Sequence, residues 1–238
     1  MPETKGNVLI VSLGKSPGVV TSAVDALARE GVKVNKVVTI TTQSGDTCSK
    51  DIKGNVVKGQ GGYVEFLISE FETYPEYKDI EYIYDCNDSC DIENKSECDD
   101  FLRLAVKHIK DYNQKGYEVY VCIAGGRKSM SALLTIAVQF FGAKTLFHVA
   151  IMDPNELSII DDYDGKLATL RGDKKEKILH PKSAEIVPLP FCDISQFIST
   201  KFDSTEGSGL LDALLKFCEK SQGKQDRDIP ANDPADLK

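Results

Sequence analysis

Apolar residues in this chain fall into short dense runs separated by helically spaced stripes. Asn7-Val8-Leu9-Ile10-Val11-Ser12-Leu13 is almost continuously apolar, the pattern of a strand buried on both faces. Pro17 follows at a plausible first helical position. Val20, Ala23, Val24, Leu27 and Ala28 recur at helical spacing until Gly31. Lys36 to Thr42 reads as a second strand. This βαβ opening implies a parallel sheet with a right-handed crossover.

The pattern then repeats. Residues 44–60 are polar and Gly-rich and predict a loop. Tyr63 to Phe71 predicts a short helix and Ile80 to Tyr84 a third strand. Residues 85–97 are acidic and read as irregular and solvated. A helix is expected from about Cys98 to Asn113, with Phe101, Leu102, Ala105, Val106 and Ile109 on its buried stripe. Glu118 to Ala124 is a strand broken by Gly125-Gly126. A helix runs from about Lys128 to Phe141, capped by Gly142, and Thr145 to Ile151 is another buried strand.

Beyond Pro154 the character changes. Leu157 to Ile160 and Lys166 to Leu170 flank Asp-rich turn residues and predict a β-hairpin. Ala184 to Phe191 predicts an edge strand, because of its prolines. Residues 207–221 suggest a terminal helix, and 222–238 a disordered tail. The fold class is therefore α/β: a Rossmann-like, mostly parallel sheet with helices on both faces, plus a C-terminal hairpin and edge-strand extension. We assign the core to 1–155, the extension to 156–221 and the tail to 222–238.

Composition narrows the partners. The 238 residues carry a net charge of −8, which argues against duplex DNA or an anionic membrane, since both need a basic face. No apolar run reaches the roughly 20 residues of a membrane span, and no signal peptide is evident at Met1. The seven cysteines (Cys48, Cys86, Cys90, Cys98, Cys122, Cys192 and Cys218) read as reduced thiols in a cytosolic protein.

Two loops carry candidate chemistry: Leu13-Gly14-Lys15-Ser16-Pro17 and Gly125-Gly126-Arg127-Lys128-Ser129-Met130. Each lies between a strand and a helix start. In a parallel sheet that places both at the edge where ligands bind, with free N–H groups and positive helix ends favouring an anion. Ser16 could contact a phosphate or simply cap its helix. Arg127 and Lys128 stand at a helix N-terminus, where the dipole disfavours cations; a bound anion would remedy that. The P-loop pattern G-x-x-x-x-G-K-[ST] and the dinucleotide pattern G-x-G-x-x-G are both absent.

Other candidates are weaker. Cys86, Cys90 and Cys98 match no zinc spacing, so free thiols are the reading and no metal is expected. His148, inside an apolar strand, reads as core. His180 could face the crevice but reads more simply as solvated. Asp161-Asp162-Tyr163-Asp164-Gly165 lacks the later Glu of a calcium loop and fits a hairpin turn.

Taken together, the two loops resemble a known family. Ser12-Leu13-Gly14-Lys15-Ser16-Pro17-Gly18-Val19-Val20-Thr21 and Ala124-Gly125-Gly126-Arg127-Lys128-Ser129-Met130 resemble the paired signatures of CRISPR-associated Rossmann-fold (CARF) domains. His180-Pro181-Lys182 with Ile186 to Phe191 is similar to their late segment. The resemblance covers roughly residues 7–191. It implies a homodimer that binds cyclic oligoadenylate, the RNA second messenger of type III CRISPR defence. Without an R-x4-6-H ribonuclease motif, the chain most resembles a stand-alone ring nuclease that cuts cyclic tetra-adenylate by attack of its own 2′-OH, with no cofactor and no metal. The resemblance makes Ser16, Arg127 and Lys128 catalytic. Thr42 and Gln43 would contact adenine or ribose. Gly14, Lys15, Pro17, Gly125, Gly126, Ser129 and Met130 would line the ligand, with Lys182 joining from the late segment. A sensor that holds the ring and signals through a partner is the alternative; an unrelated Rossmann-like nucleotide enzyme is the third reading.

Overall fold

A computed structural model describes residues 4–42, 62–87, 89, 91–170 and 172–195. Gln43, the loop expected at 44–60, the helix expected at 207–221 and the tail expected at 222–238 lie outside the described residues. Chain contacts divide at Ser195, and the described residues all belong to the first unit.

The first apolar run forms β1 (Asn7–Ser12), in which Val8, Leu9, Ile10 and Val11 are wholly buried. Burying each such side chain stabilises the fold by roughly 1.5–3 kcal/mol, so β1 is the natural centre of the sheet. Helix α1 (Gly18–Arg29) begins one residue later than the proline signal suggests, because Pro17 takes the capping position. β2 (Val34–Thr42), α2 (Tyr63–Thr73) and β3 (Glu81–Asn87) follow, with a short 3-10 turn at Pro75–Tyr77 before β3.

Helix α3 (Lys95–Gln114) starts earlier than its apolar stripe indicates. Asn94 accepts a hydrogen bond from the Glu97 N–H at 3.1 Å, and Glu97 Oε2 accepts from the Asn94 N–H at 3.1 Å. This reciprocal cap fixes the helix start. β4 (Glu118–Cys122), α4 (Lys128–Phe141) and β5 (Thr145–Ile151) complete the repeating part.

The strand order is β3-β2-β1-β4-β5-β6, with β6 (Ala184–Pro188) at one edge. The first five strands are parallel and β6 is antiparallel to β5. Right-handed crossovers place α1 and α2 on one face and α3 and α4 on the other; α3 packs on α4. The Rossmann-like architecture and the proline-marked edge strand are as expected from sequence.

The hairpin is not. Residues 154–161 form helix α5 (Pro154–Asp161), Leu167–Thr169 is a 3-10 turn, and α6 (Gly172–Leu179) packs against α1. Asp153 Oδ1 accepts from the Asn155 N–H at 2.7 Å and Pro154 opens the helix. A strong helix start thus overrides the β-branched run Ser158-Ile159-Ile160.

Two further expectations fail. His148 is exposed, opposite the exposed Val187 of β6. Cys86 is disulfide-bonded, whereas Cys98, Cys122 and Cys192 are free. A disulfide needs only that two cysteines approach in space, which sequence spacing does not forecast. Cys48, Cys90 and Cys218 lie outside the described residues. No helix among the described residues is long and apolar enough to cross a membrane.

Candidate functional site

Strand order reverses between β1 and β4, so the loops that leave these two strands flank the switch point where doubly wound sheets bind ligands. The loops touch. A Cβ on Gly14 would stand 2.9 Å from Gly126 Cα and 3.3 Å from its nitrogen. Beneath them Ser12 Oγ donates to the Gly125 carbonyl oxygen at 2.6 Å. A Cβ on Gly125 would overlap the Ser12 carbonyl. Gly126 has φ +77°, a conformation that favours glycine. Three glycines are therefore required by close packing at this one place.

From the β2 side, Thr41 Oγ1 donates to the Leu13 carbonyl oxygen at 2.9 Å, and the Leu13 N–H donates to Ile40 at 2.9 Å. Thr42, expected to reach the ligand, is buried at the end of β2.

Ser16 does not cap α1. Pro17 occupies the capping position without a side-chain hydrogen bond, and Ser16 Oγ has no hydrogen-bond partner among the described residues. Its hydroxyl is half-exposed beside the loop crossing. Lys15 is exposed. A Cβ on Gly165 would lie 3.5 Å from Lys15 Cβ and 3.6 Å from Tyr63 Oη, so the turn after α5 walls this loop.

At the second loop no side-chain acceptor caps α4; the Arg127 N–H points to Met130 Sδ at 3.3 Å. The first turn of α4 thus presents N–H groups where an anion is favoured. Lys128 is exposed and has no ion pair among the described residues. Arg127 is exposed too, but its Nη2 pairs with Asp91. The acidic stretch read as solvated therefore reaches the site. Ser129 is half-buried. Met130 is 2% exposed and packs under Gly126; it supports the loop and does not line the crevice.

Lys182 and His180 lie elsewhere. A cavity of about 370 Å³ at the C-terminal half of α1 has Val24, Val32, Val34 and Ile80 among its walls, with Arg29, Lys33 and Lys182 around it. It belongs to a different part of the molecule from the two loops. His180, read as solvated, is buried. Its Nδ1 lies 2.9 Å from Asp25 Oδ2 and its Nε2 3.3 Å from Glu70 Oε1. Burial pushes the imidazole pKa down, but the hydrogen bonds that Asp25 and Glu70 accept from it outweigh this and raise it to about 9. Thr41 and Asp91 carry no assigned role in the sequence reading; Thr41, one residue before Thr42 on a strand end, had a local signal, and Asp91 had none.

Fold and loops together define a Rossmann-like α/β protein whose two glycine loops cross at the switch point of its sheet. The chain belongs to the family described as CRISPR-associated protein NE0113, whose pattern it matches over residues 16–217. Among solved structures, Enterococcus italicus Csm6 bound to cyclic hexa-2′-fluoro-hexa-dAMP has a TM-score of 0.50 and 14% identity, covering 82% of this chain and 43% of that one. Protein VC1899 from Vibrio cholerae has a TM-score of 0.40 and 10% identity, over 60% and 30% of the two chains. No curated protein matches. This chain thus spans less than half the length of the Csm6 chain whose fold it shares. The expected CRISPR-associated family and Rossmann-like fold are borne out.

Proposed function

We propose that this protein binds cyclic oligoadenylate, with cyclic tetra-adenylate as the main substrate, and cuts it without metal, switching off type III CRISPR signalling. The observation that carries this reading is the crossing of Gly14 and Gly126, which sets the loop that carries Ser16 against the loop that opens α4 at Lys128. The likeness of fold to a Csm6 that binds a cyclic adenylate supports the ligand class.

RNA supplies its own nucleophile. The ribose 2′-oxygen attacks the adjacent phosphorus and loses its proton. The bond to the 5′-oxygen breaks, and that oxygen gains a proton. Two such cuts give linear di-adenylates ending in 2′,3′-cyclic phosphate. Positioning and charge stabilisation suffice for this step. Ser16 would orient the phosphate, and Lys128 with Arg127 would stabilise charge on its oxygens. Gly14 and Gly126 would bring the two loops together beside the ring, with Lys15 and Ser129 around it. A homodimer would present each group twice to a ligand with its own two-fold character.

The test is incubation of purified protein with cyclic tetra-adenylate and EDTA, with products separated by chromatography. Conversion to di-adenylate cyclic phosphate supports the reading; an intact ring after prolonged incubation sinks the nuclease. A second reading, a sensor that binds without cutting, is favoured by the Arg127–Asp91 pair, which occupies one of the two catalytic cations. Tight binding without turnover would select it.

A further inference from the structure

One face of α1 carries Gly18, Thr21, Asp25 and Arg29, spaced three, four and four apart, and all four meet the segment from Ile178 to Ala184. Gly18 packs directly on the Ile178 carbonyl, where a Cβ would overlap it. Thr21 Oγ1 donates to the Leu179 carbonyl oxygen at 2.5 Å. Asp25 meets His180, and Arg29 Nη2 donates to the Ala184 carbonyl oxygen. A helix pinned at four successive turns has little freedom to slide along its axis.

The centre of this stripe is ionic and buried. His180 and Glu70 side chains are 4% and 5% exposed. Both imidazole nitrogens face carboxylate oxygens, which only accept hydrogen bonds, so the geometry calls for two N–H donors. Tyr77 Oη donates to Asp25 Oδ1 at 2.6 Å and stands 3.2 Å from the Thr21 carbonyl oxygen. Lys175 Nζ pairs with Glu70 Oε2 at 2.5 Å. The Tyr74 ring stacks on the imidazole at 3.9 Å between centroids. Glu176 adds a more distant negative charge. With an imidazolium, His180 and Lys175 balance Asp25 and Glu70; with a neutral ring, one buried carboxylate loses its partner, which is costly.

We propose that His180 is a positioning residue, held as an imidazolium between α1 and α2, which seats α1 and thereby the Gly14-Lys15-Ser16 loop at its N-terminus. The consequence for ligand rests on the proposed function; the seating of the loop does not. The sequence hides this role because Asp25 and Glu70 lie 155 and 110 residues from His180.

The experiment is a pH titration of the full-length protein by carbon-detected NMR from pH 6 to pH 10, without ligand. The His180 ring is expected to titrate near pH 9, and the Cα and carbonyl resonances of Gly14, Ser16 and Gly18 to move with the same midpoint. In Tyr77→Phe, which removes the hydroxyl that donates to Asp25 on the face of α1, the loop shifts should shrink at least twofold while the ring still titrates. His180 titrating near 6.5, or loop resonances indifferent to its midpoint, overturns the proposal even if Tyr77→Phe does not fold. In parallel, cyclic tetra-adenylate affinity of the wild type is measured at pH 7 and pH 10. A fall of at least tenfold is expected. Absence of binding at both pH values refutes the ligand reading, and the titration still decides the role of His180.

Discussion

Gly14 and Gly126 meet backbone to backbone across the sheet's switch point, with room for no Cβ between them. Gly14→Ala would place a methyl 2.9 Å from Gly126 Cα, and neither loop can give way, because Ser12 ties Gly125 and Thr41 ties Leu13. Overpacking of this kind costs about 1–3 kcal/mol. The expected outcome is a lower melting temperature together with loss of ligand affinity. An unchanged melting curve would refute the tightness of the crossing.

Asp91 draws Arg127 aside. The Arg127 side chain is 62% exposed, and exposed pairs contribute about 0–1 kcal/mol. Asp91→Asn is therefore expected to leave stability nearly unchanged while tightening binding of an anionic ligand severalfold, read by calorimetry. Weaker binding would instead assign Asp91 a direct part in the site.

Ser16 and Lys128 make no side-chain contacts that the fold depends on among the described residues. Ser16→Ala and Lys128→Ala should melt like the wild type yet slow cleavage of cyclic tetra-adenylate, each on the order of a hundredfold if the group stabilises the transition state. Single-turnover rates at saturating enzyme are the measurement. Near wild-type rates in both would remove them from the mechanism.

The fold should also weaken in mild alkali. His180 has a folded pKa raised to about 9 against an ordinary 6.5. Its contribution is full below pH 6.5 and is lost as pH rises through 9, on the order of 3 kcal/mol. Urea denaturation midpoints at pH 6, 7.5 and 9.5 should fall in that order, and the fall should be smaller in His180→Gln.

The sheet was legible because its strands are buried on both faces, so Val8 to Val11 and Val119 to Cys122 show as unbroken apolar runs. The two loops were legible because glycines next to such runs leave few alternatives. The region after Pro154 misled for a local reason. Asp153 and Pro154 are a helix start, but Ile159, Ile160 and Asp164-Gly165 mimic two strands and a turn, and α5 buries no residue, so its apolar stripe is faint. His180 misled for a distant one. Its partners are on α1 and α2, and nothing in His180-Pro181 records them. Arg127 falls between: its cationic placement was plain, its partner Asp91 was not.

Ser12 and Gly125, which knit the two loops together, are 113 positions apart in the chain. During synthesis the first loop emerges long before its counterpart, and it has nothing to close against until β4 has been made and has paired with β1. Such long-range closure is slow compared with local helix formation. A nascent or truncated chain that stops short of Gly125 carries half of the crossing, so the proposed site is assembled only after the two halves of the sheet have joined. Ligand capture by that site would be a readout of completed folding.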